Sequence, residues 1–138
     1  MKATLLDTGV IVALLDRDER YHAQSVETVS DLIGPLVTCE AVVAEACHLL
    51  RRMSGAPEAI IKNVANGVFQ TPWRLADQAG AVQKLLRKYR DVPMALADAC
   101  LVDLADRMDT AQILTLDRNF AIYRWRSRRK FGLLIELS

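Results

Sequence analysis

Asp7, Glu45, Asp98 and Asp117 stand where the surrounding sequence pattern assigns apolar residues. Asp7 closes the run Thr4-Leu5-Leu6, and Asp117 follows Gln112-Ile113-Leu114-Thr115-Leu116 in the same way. Glu45 lies three residues after Val42 and four before Leu49, and Asp98 shares a stripe with Met94, Leu101, Ala105 and Met108. On helices, both acids then point inward. An unpaired buried carboxylate costs several kcal/mol, so inward acids on separate elements predict a cation between them. Oxygen-only donors suit hard divalent ions, which makes Mg2+ or Mn2+ the expected cofactor, as one ion or two. Such an ion accepts a phosphate and activates a water for in-line attack on phosphorus, with a 5′-phosphate and a 3′-hydroxyl as products.

Taken singly, each acid has a plainer explanation. Asp7 fits a turn, Glu45 fits a pair with Arg51 or Arg52 on a rotated helix, Asp98 fits the dipole of a helix N-terminus, and Asp117-Arg118-Asn119 fits a polar turn. Asp103 and Asp106 share the Asp98 helix but point roughly 140° and 80° away from it, which makes Asp106 the closer substitute. His22 and His48 are too separated for a zinc set and receive no role.

The elements that must position these acids follow from punctuation and periodicity. Thr4–Leu6 reads as a strand, followed by a short buried helix over 9–15. Val26, Val29, Leu32 and Ile33 mark a helix that Gly34-Pro35 ends, and Leu36-Val37 is a second strand. Thr38 is the expected cap of a helix from Glu40 to about Met53, and Pro57 opens the next, with Ile60, Ile61, Val64 and Val68 on its buried side. Residues 71–75 read as a connector or edge strand. A helix capped by Asp77 follows, with Val82, Leu85, Leu86 and Tyr89 inward and Lys84, Arg87, Lys88 and Arg90 outward. A helix over about 94–108, a strand over 112–116 and a last strand over 133–137 complete the chain. Alternating strands and helices predict a mainly parallel sheet covered on both faces, whose ligands gather at the carboxyl ends of the strands.

The 138 residues suit a single domain spanning 1–138. With 51% hydrophobic and 25% charged residues the composition is globular, and no apolar stretch has the length of a membrane span or a signal peptide, so a cytoplasmic protein is expected, with no membrane partner. Cys39, Cys47 and Cys100 are odd in number, lack C-x-x-C spacing and read as reduced core residues. The net charge of +1 neither demands nor forbids a nucleic-acid partner, but its distribution is uneven. Arg118, Arg124, Arg126, Arg128, Arg129 and Lys130 crowd one segment, interleaved with Tyr123, Trp125 and Phe131. That segment is expected either to bind RNA phosphates while an aromatic stacks on a base, or to form a solvated basic loop. Arg51 and Arg52 are further candidates for steering phosphate.

At the acids the chain resembles the PIN-domain ribonucleases, particularly the VapC-like toxins of prokaryotic toxin–antitoxin pairs. The likeness runs through Leu-Leu-Asp7-Thr8-Gly9, Leu-Val-Thr-Cys-Glu-Ala-Val-Val-Ala-Glu45-Ala, Leu96-Ala97-Asp98-Ala99 and Leu-Thr115-Leu-Asp117-Arg-Asn-Phe120. It implies a three-layer α/β/α fold, a Mg2+- or Mn2+-dependent endoribonuclease, frequent dimerisation and a cognate antitoxin. Asp7, Glu45 and Asp98 match the family's three principal acids and Asp117 the more variable fourth, with Thr8 and Thr115 as supporting hydroxyls. Gly9 departs from the commoner Asn or Ser, which removes a polar contact but no ligand. A haloacid-dehalogenase-like site is disfavoured because Gly9 stands where that chemistry wants a second aspartate, and a dinucleotide fold because no G-x-G-x-x-G follows the first strand. A non-catalytic PIN scaffold and a housekeeping RNA-processing nuclease are the remaining alternatives.

Overall fold

The computed structural model describes residues 2–137. Its chain order is β1 (Thr4–Leu6), α1 (Thr8–Leu15), α2 (His22–Ser30), β2 (Leu36–Val37), α3 (Glu40–Leu49), α4 (Ala56–Ala65), β3 (Phe69–Gln70), α5 (Leu75–Lys88), α6 (Leu96–Met108) and β4 (Gln112–Leu114). A 3-10 turn over Arg118–Ala121, then β5 (Arg124–Trp125), β6 (Arg129–Lys130) and β7 (Gly132–Leu133) complete it. Five short strands form one sheet in the order β3-β2-β1-β4-β7, and every pairing is parallel. Helices cover both faces, as the expected α/β/α layering requires.

The order places the reversal of winding at β1, which pairs with β2 on one side and β4 on the other. A crevice opens there because the two connections leave in opposite directions. Leu5, Leu6, Val37, Ile113 and Leu114 fill the sheet centre without exposure, and Val10, Ile11, Val42, Leu101 and Leu104 pack on it from the helices. Helix α6 is the most enclosed element, buried from Ala97 to Ala105.

Several expectations are corrected. Thr38 does not cap α3: Cys39 holds the cap position, and the Thr38 hydroxyl donates instead to the Leu6 carbonyl at 2.7 Å, tying β2 to the end of β1. Asp77 lies in the first turn of α5 rather than at its cap, which Arg74 occupies. Helix α2 stops at Ser30, which leaves Ile33 82% exposed, and α3 stops at Leu49 instead of near Met53. Ile61 faces outward from α4, and Val68 lies exposed three residues beyond the end of that helix. Of the two readings of the segment beginning at Thr71 the connector holds: the edge strand is Phe69–Gln70, immediately before it, and Trp73 turns inward and donates to buried Asp103 at 2.8 Å. The last strand is Gly132–Leu133 rather than 133–137. The basic segment, expected as a loop, forms an antiparallel hairpin, β5–β6. Cys39 and Cys100 are buried and Cys47 is half-buried, and all three are free thiols.

Candidate active site

Asp7 and Asp117 flank the crevice because their strands stop one and three residues short of them. Asp7 caps α1: its Oδ1 accepts from the Thr8 amide at 2.8 Å, and its own amide donates to the Leu114 carbonyl of the neighbouring strand. The Thr115 hydroxyl donates to Asp7 Oδ2 at 2.7 Å and accepts from the Asp117 amide at 2.9 Å. One threonine thus fixes the acid of β1 against the acid beyond β4. Asp117 caps the 3-10 turn by accepting from the Asn119 amide.

Asp98 enters from the first turn of α6. The fully buried Tyr123 donates its hydroxyl to Asp98 Oδ2 at 3.0 Å, and edge contacts from Tyr89 and Phe120 hold the Tyr123 ring. The sequence reading offered Tyr123 as a base-stacking aromatic; the available signal was its spacing from Phe120, three residues apart after Asp117. Trp125 and Phe131 are buried as well, so none of the three rings presents a free face to RNA.

One carboxylate oxygen from each of Asp7, Asp98 and Asp117 lies within 4.8 Å of the other two. Glu45 is outside this trio. It is exposed on α3, at the open side of a cleft of about 580 Å3 that the trio, Thr8 and Arg118 also line, and not inward on the helix stripe as expected. Leu49, one turn on, is likewise exposed at this edge.

Burial pushes the Asp7 carboxyl up to about 6, helped by the charges of Asp117 and Glu45 and opposed by the Thr115 and Thr8 hydrogen bonds. Asp98 is also raised to about 6, first by burial and then by the charge of Asp7, against the Tyr123 hydrogen bond. Burial and the adjacent Asp98 charge raise Tyr123, so its hydroxyl stays a donor. The ion pairs Arg74–Asp77, Arg107–Asp103 and Arg126–Asp109 all involve other carboxylates. The Thr8 hydroxyl is buried in the cleft wall without a hydrogen-bond partner. Concentrated anionic oxygens and an orphaned hydroxyl fit a hard divalent cation.

The sequence profile of the PIN domain matches residues 4–125. Ribonuclease VapC26 of Mycobacterium tuberculosis is 35% identical over 120 residues, which cover 83% of this chain and 86% of that protein. The chain belongs to the PIN-domain family. In fold, this PIN domain is similar to the crystal structure of Mycobacterium tuberculosis VapC20, a sarcin-ricin loop cleaving toxin, at a TM-score of 0.80 with 18% identity, covering 91% of this chain and 98% of that one.

The basic residues of this PIN domain fall into two groups. Arg118 lines the cleft. Arg51 donates to the His48 carbonyl beyond the exposed end of α3, and Arg52 is exposed beside it. Arg124 and Arg126 serve the fold. The Arg124 guanidinium donates to the carbonyls of Ala121, Ile122 and Tyr123, closing the 3-10 turn, and Arg126 pairs with Asp109 at 2.9 Å.

Proposed function

We propose that this PIN domain is a metal-dependent endoribonuclease, the toxin of a type II toxin–antitoxin pair. The observation that carries the reading is the approach of one carboxylate oxygen each from Asp7, Asp98 and Asp117 to within 4.8 Å of one another inside an open cleft. The relative named as a ribonuclease, matched over most of both chains, supports it.

Asp7, Asp98 and Asp117 would hold Mg2+ or Mn2+, with Glu45 reaching in from the open side. When bound, such an ion supplies Lewis-acid activation of phosphate and of water. Thr115 holds Asp7 in place by donating to one oxygen while the Thr8 amide occupies the other. Tyr123 steadies Asp98 by donating to one of its oxygens. Glu45 carries negative charge to the cleft mouth, where it would orient an attacking water or a second ion, and Arg118, which lines the same cleft, would receive a phosphate of the RNA. A cytoplasmic homodimer and a cognate antitoxin that covers the cleft complete the reading.

The test is incubation of the purified protein with labelled single-stranded RNA in Mg2+, Mn2+ or EDTA. Cleavage to 5′-phosphate ends that needs metal and disappears in Asp98→Asn is expected. Metal-independent binding without cleavage would replace the nuclease by a non-catalytic RNA-binding scaffold.

A further inference from the structure

A basic surface outside the cleft remains without a role. Lys84, Arg87 and Lys88 fall within one arc of α5, and all three are exposed. The β5–β6 hairpin packs on α6 beside this arc, and its turn is tied to α5 by the Lys88 ammonium, which donates to the Ser127 carbonyl at 3.1 Å. Trp125 carries the guanidinium groups of Arg126 and Arg129 at 5.1 and 5.3 Å from its ring centroid, and Arg128 and Lys130 extend from the same hairpin. The carboxylates along this surface are already engaged: Asp103 by Trp73 and Arg107, Asp106 by the Arg126 amide, Asp109 by the Arg126 guanidinium. Among the described residues, Lys84, Arg87, Arg128 and Lys130 have no acidic partner.

We propose that α5 and the β5–β6 hairpin form an exosite for the sugar-phosphate backbone of an RNA whose scissile phosphate lies in the cleft, an inference that rests on the nuclease reading. RNA is favoured over an acidic protein because the chain runs directly from the cleft into this surface. The 3-10 turn leaves the site at Asp117, Tyr123 touches Asp98, and the next residues enter the hairpin. Arg126 meets α6 at Asp106, eight residues past Asp98 and so about 12 Å along the helix axis. A strand leaving the cleft beside α6 therefore reaches the cations within a few nucleotides. Their flexible heads suit a phosphate track without base readout, since the neighbouring aromatic rings are buried.

The test measures affinity for a single-stranded RNA of roughly 20 nucleotides against KCl concentration, with Mg2+ present, in the Asp98→Asn protein so that the RNA stays intact. Each phosphate contact on a single strand contributes about 0.7 to the slope of log affinity against log salt, so Lys84→Gln/Arg87→Gln/Arg128→Gln should flatten it by about 2. Arg17→Gln/Lys62→Gln/Arg74→Gln, with the same change in net charge, should leave the slope near the parent value. An unchanged slope in the first triple, or an equal loss in the second, would overturn the exosite and leave the surface to an acidic protein or to solvent. That failure is separable from failure of the nuclease reading, which shows as uncleaved RNA with the unaltered chain.

Discussion

Asp98 carries two competing demands. Its burial and the nearby Asp7 charge disfavour the carboxylate, while Tyr123 steadies it. Asp98→Asn should therefore lower cleavage by orders of magnitude and, in EDTA, raise the melting temperature, because repulsion is removed while the amide oxygen still accepts from Tyr123. A lower melting temperature would show a structural cap or pairing role instead. Tyr123→Phe should keep the fold and weaken Mn2+ binding several-fold at neutral pH, with recovery at higher pH, because Asp98 loses the hydrogen bond that favours its charged form. Calorimetric titration with Mn2+ decides this, and equal affinity at all pH values would remove Tyr123 from the site. The acids were legible in the sequence because a charge at a strand end or on an apolar stripe breaks a periodicity. Glu45 was only half legible, since period alone does not tell the core side of α3 from the cleft edge. Tyr123 was hidden because an aromatic among arginines has the local pattern of an exposed stacking group, and only packing against Tyr89 and Phe120 reveals its burial.

Among the elements, α5 and α6 are joined by a buried polar contact: the Trp73 indole, just before α5, donates to Asp103 on α6, and Asp103 is only 2% exposed. Trp73→Phe keeps the ring but strips that donor, leaving the Arg107 nitrogen at 3.5 Å as the remaining partner. A loss of about 1–3 kcal/mol in urea unfolding is expected. The hairpin presents the opposite case. Arg126 and Ser127 take left-handed φ values of 46° and 67°, a conformation that L-residues with side chains adopt at a cost of about 1 kcal/mol. Ser127→Gly should therefore raise the melting temperature slightly, and a clear fall would place the serine side chain in an unseen stabilising role. These two residues also explain why the hairpin escaped sequence reading. Three residues, Arg126-Ser127-Arg128, separate the paired Trp125 and Arg129, and hairpin loops of that length announce themselves by a glycine that this one lacks. Strands β1 and β4, each ended by an acid and followed by a helical pattern, carried the signal that the hairpin lacks.

For the whole molecule, the elevated Asp7 and Asp98 groups couple stability to pH. Both have folded values near 6 against an ordinary 3.8, so the folded state holds their protons more tightly than the unfolded chain does. The resulting stabilisation is complete below the ordinary value and is lost as pH rises through about 6. The limiting slope is about 1.4 kcal/mol per pH unit for each group. Thermal melts of metal-free protein should thus show a falling melting temperature between about pH 4 and pH 6, with the fall reduced in Asp98→Asn and opposed by saturating Mn2+, which binds the deprotonated site. A flat profile would mean that water or a rearranged side chain relieves the two carboxyls. The parallel sheet with helices on both faces was legible from alternation alone, and its strand order fixes where the acids meet. No helix among the described residues is long and apolar enough to cross a membrane.

The unequal burial of the three thiols has a practical consequence. Cys39 and Cys100 are sealed in the interior, so a maleimide fluorophore should react with native protein at Cys47 alone. Cys47 follows Glu45 by two positions on α3, about 200° around the helix, which directs the dye away from the cleft. The chain as it stands is therefore suited to single-site labelling, and a fluorescence or anisotropy signal would follow RNA engagement in real time without any engineered cysteine.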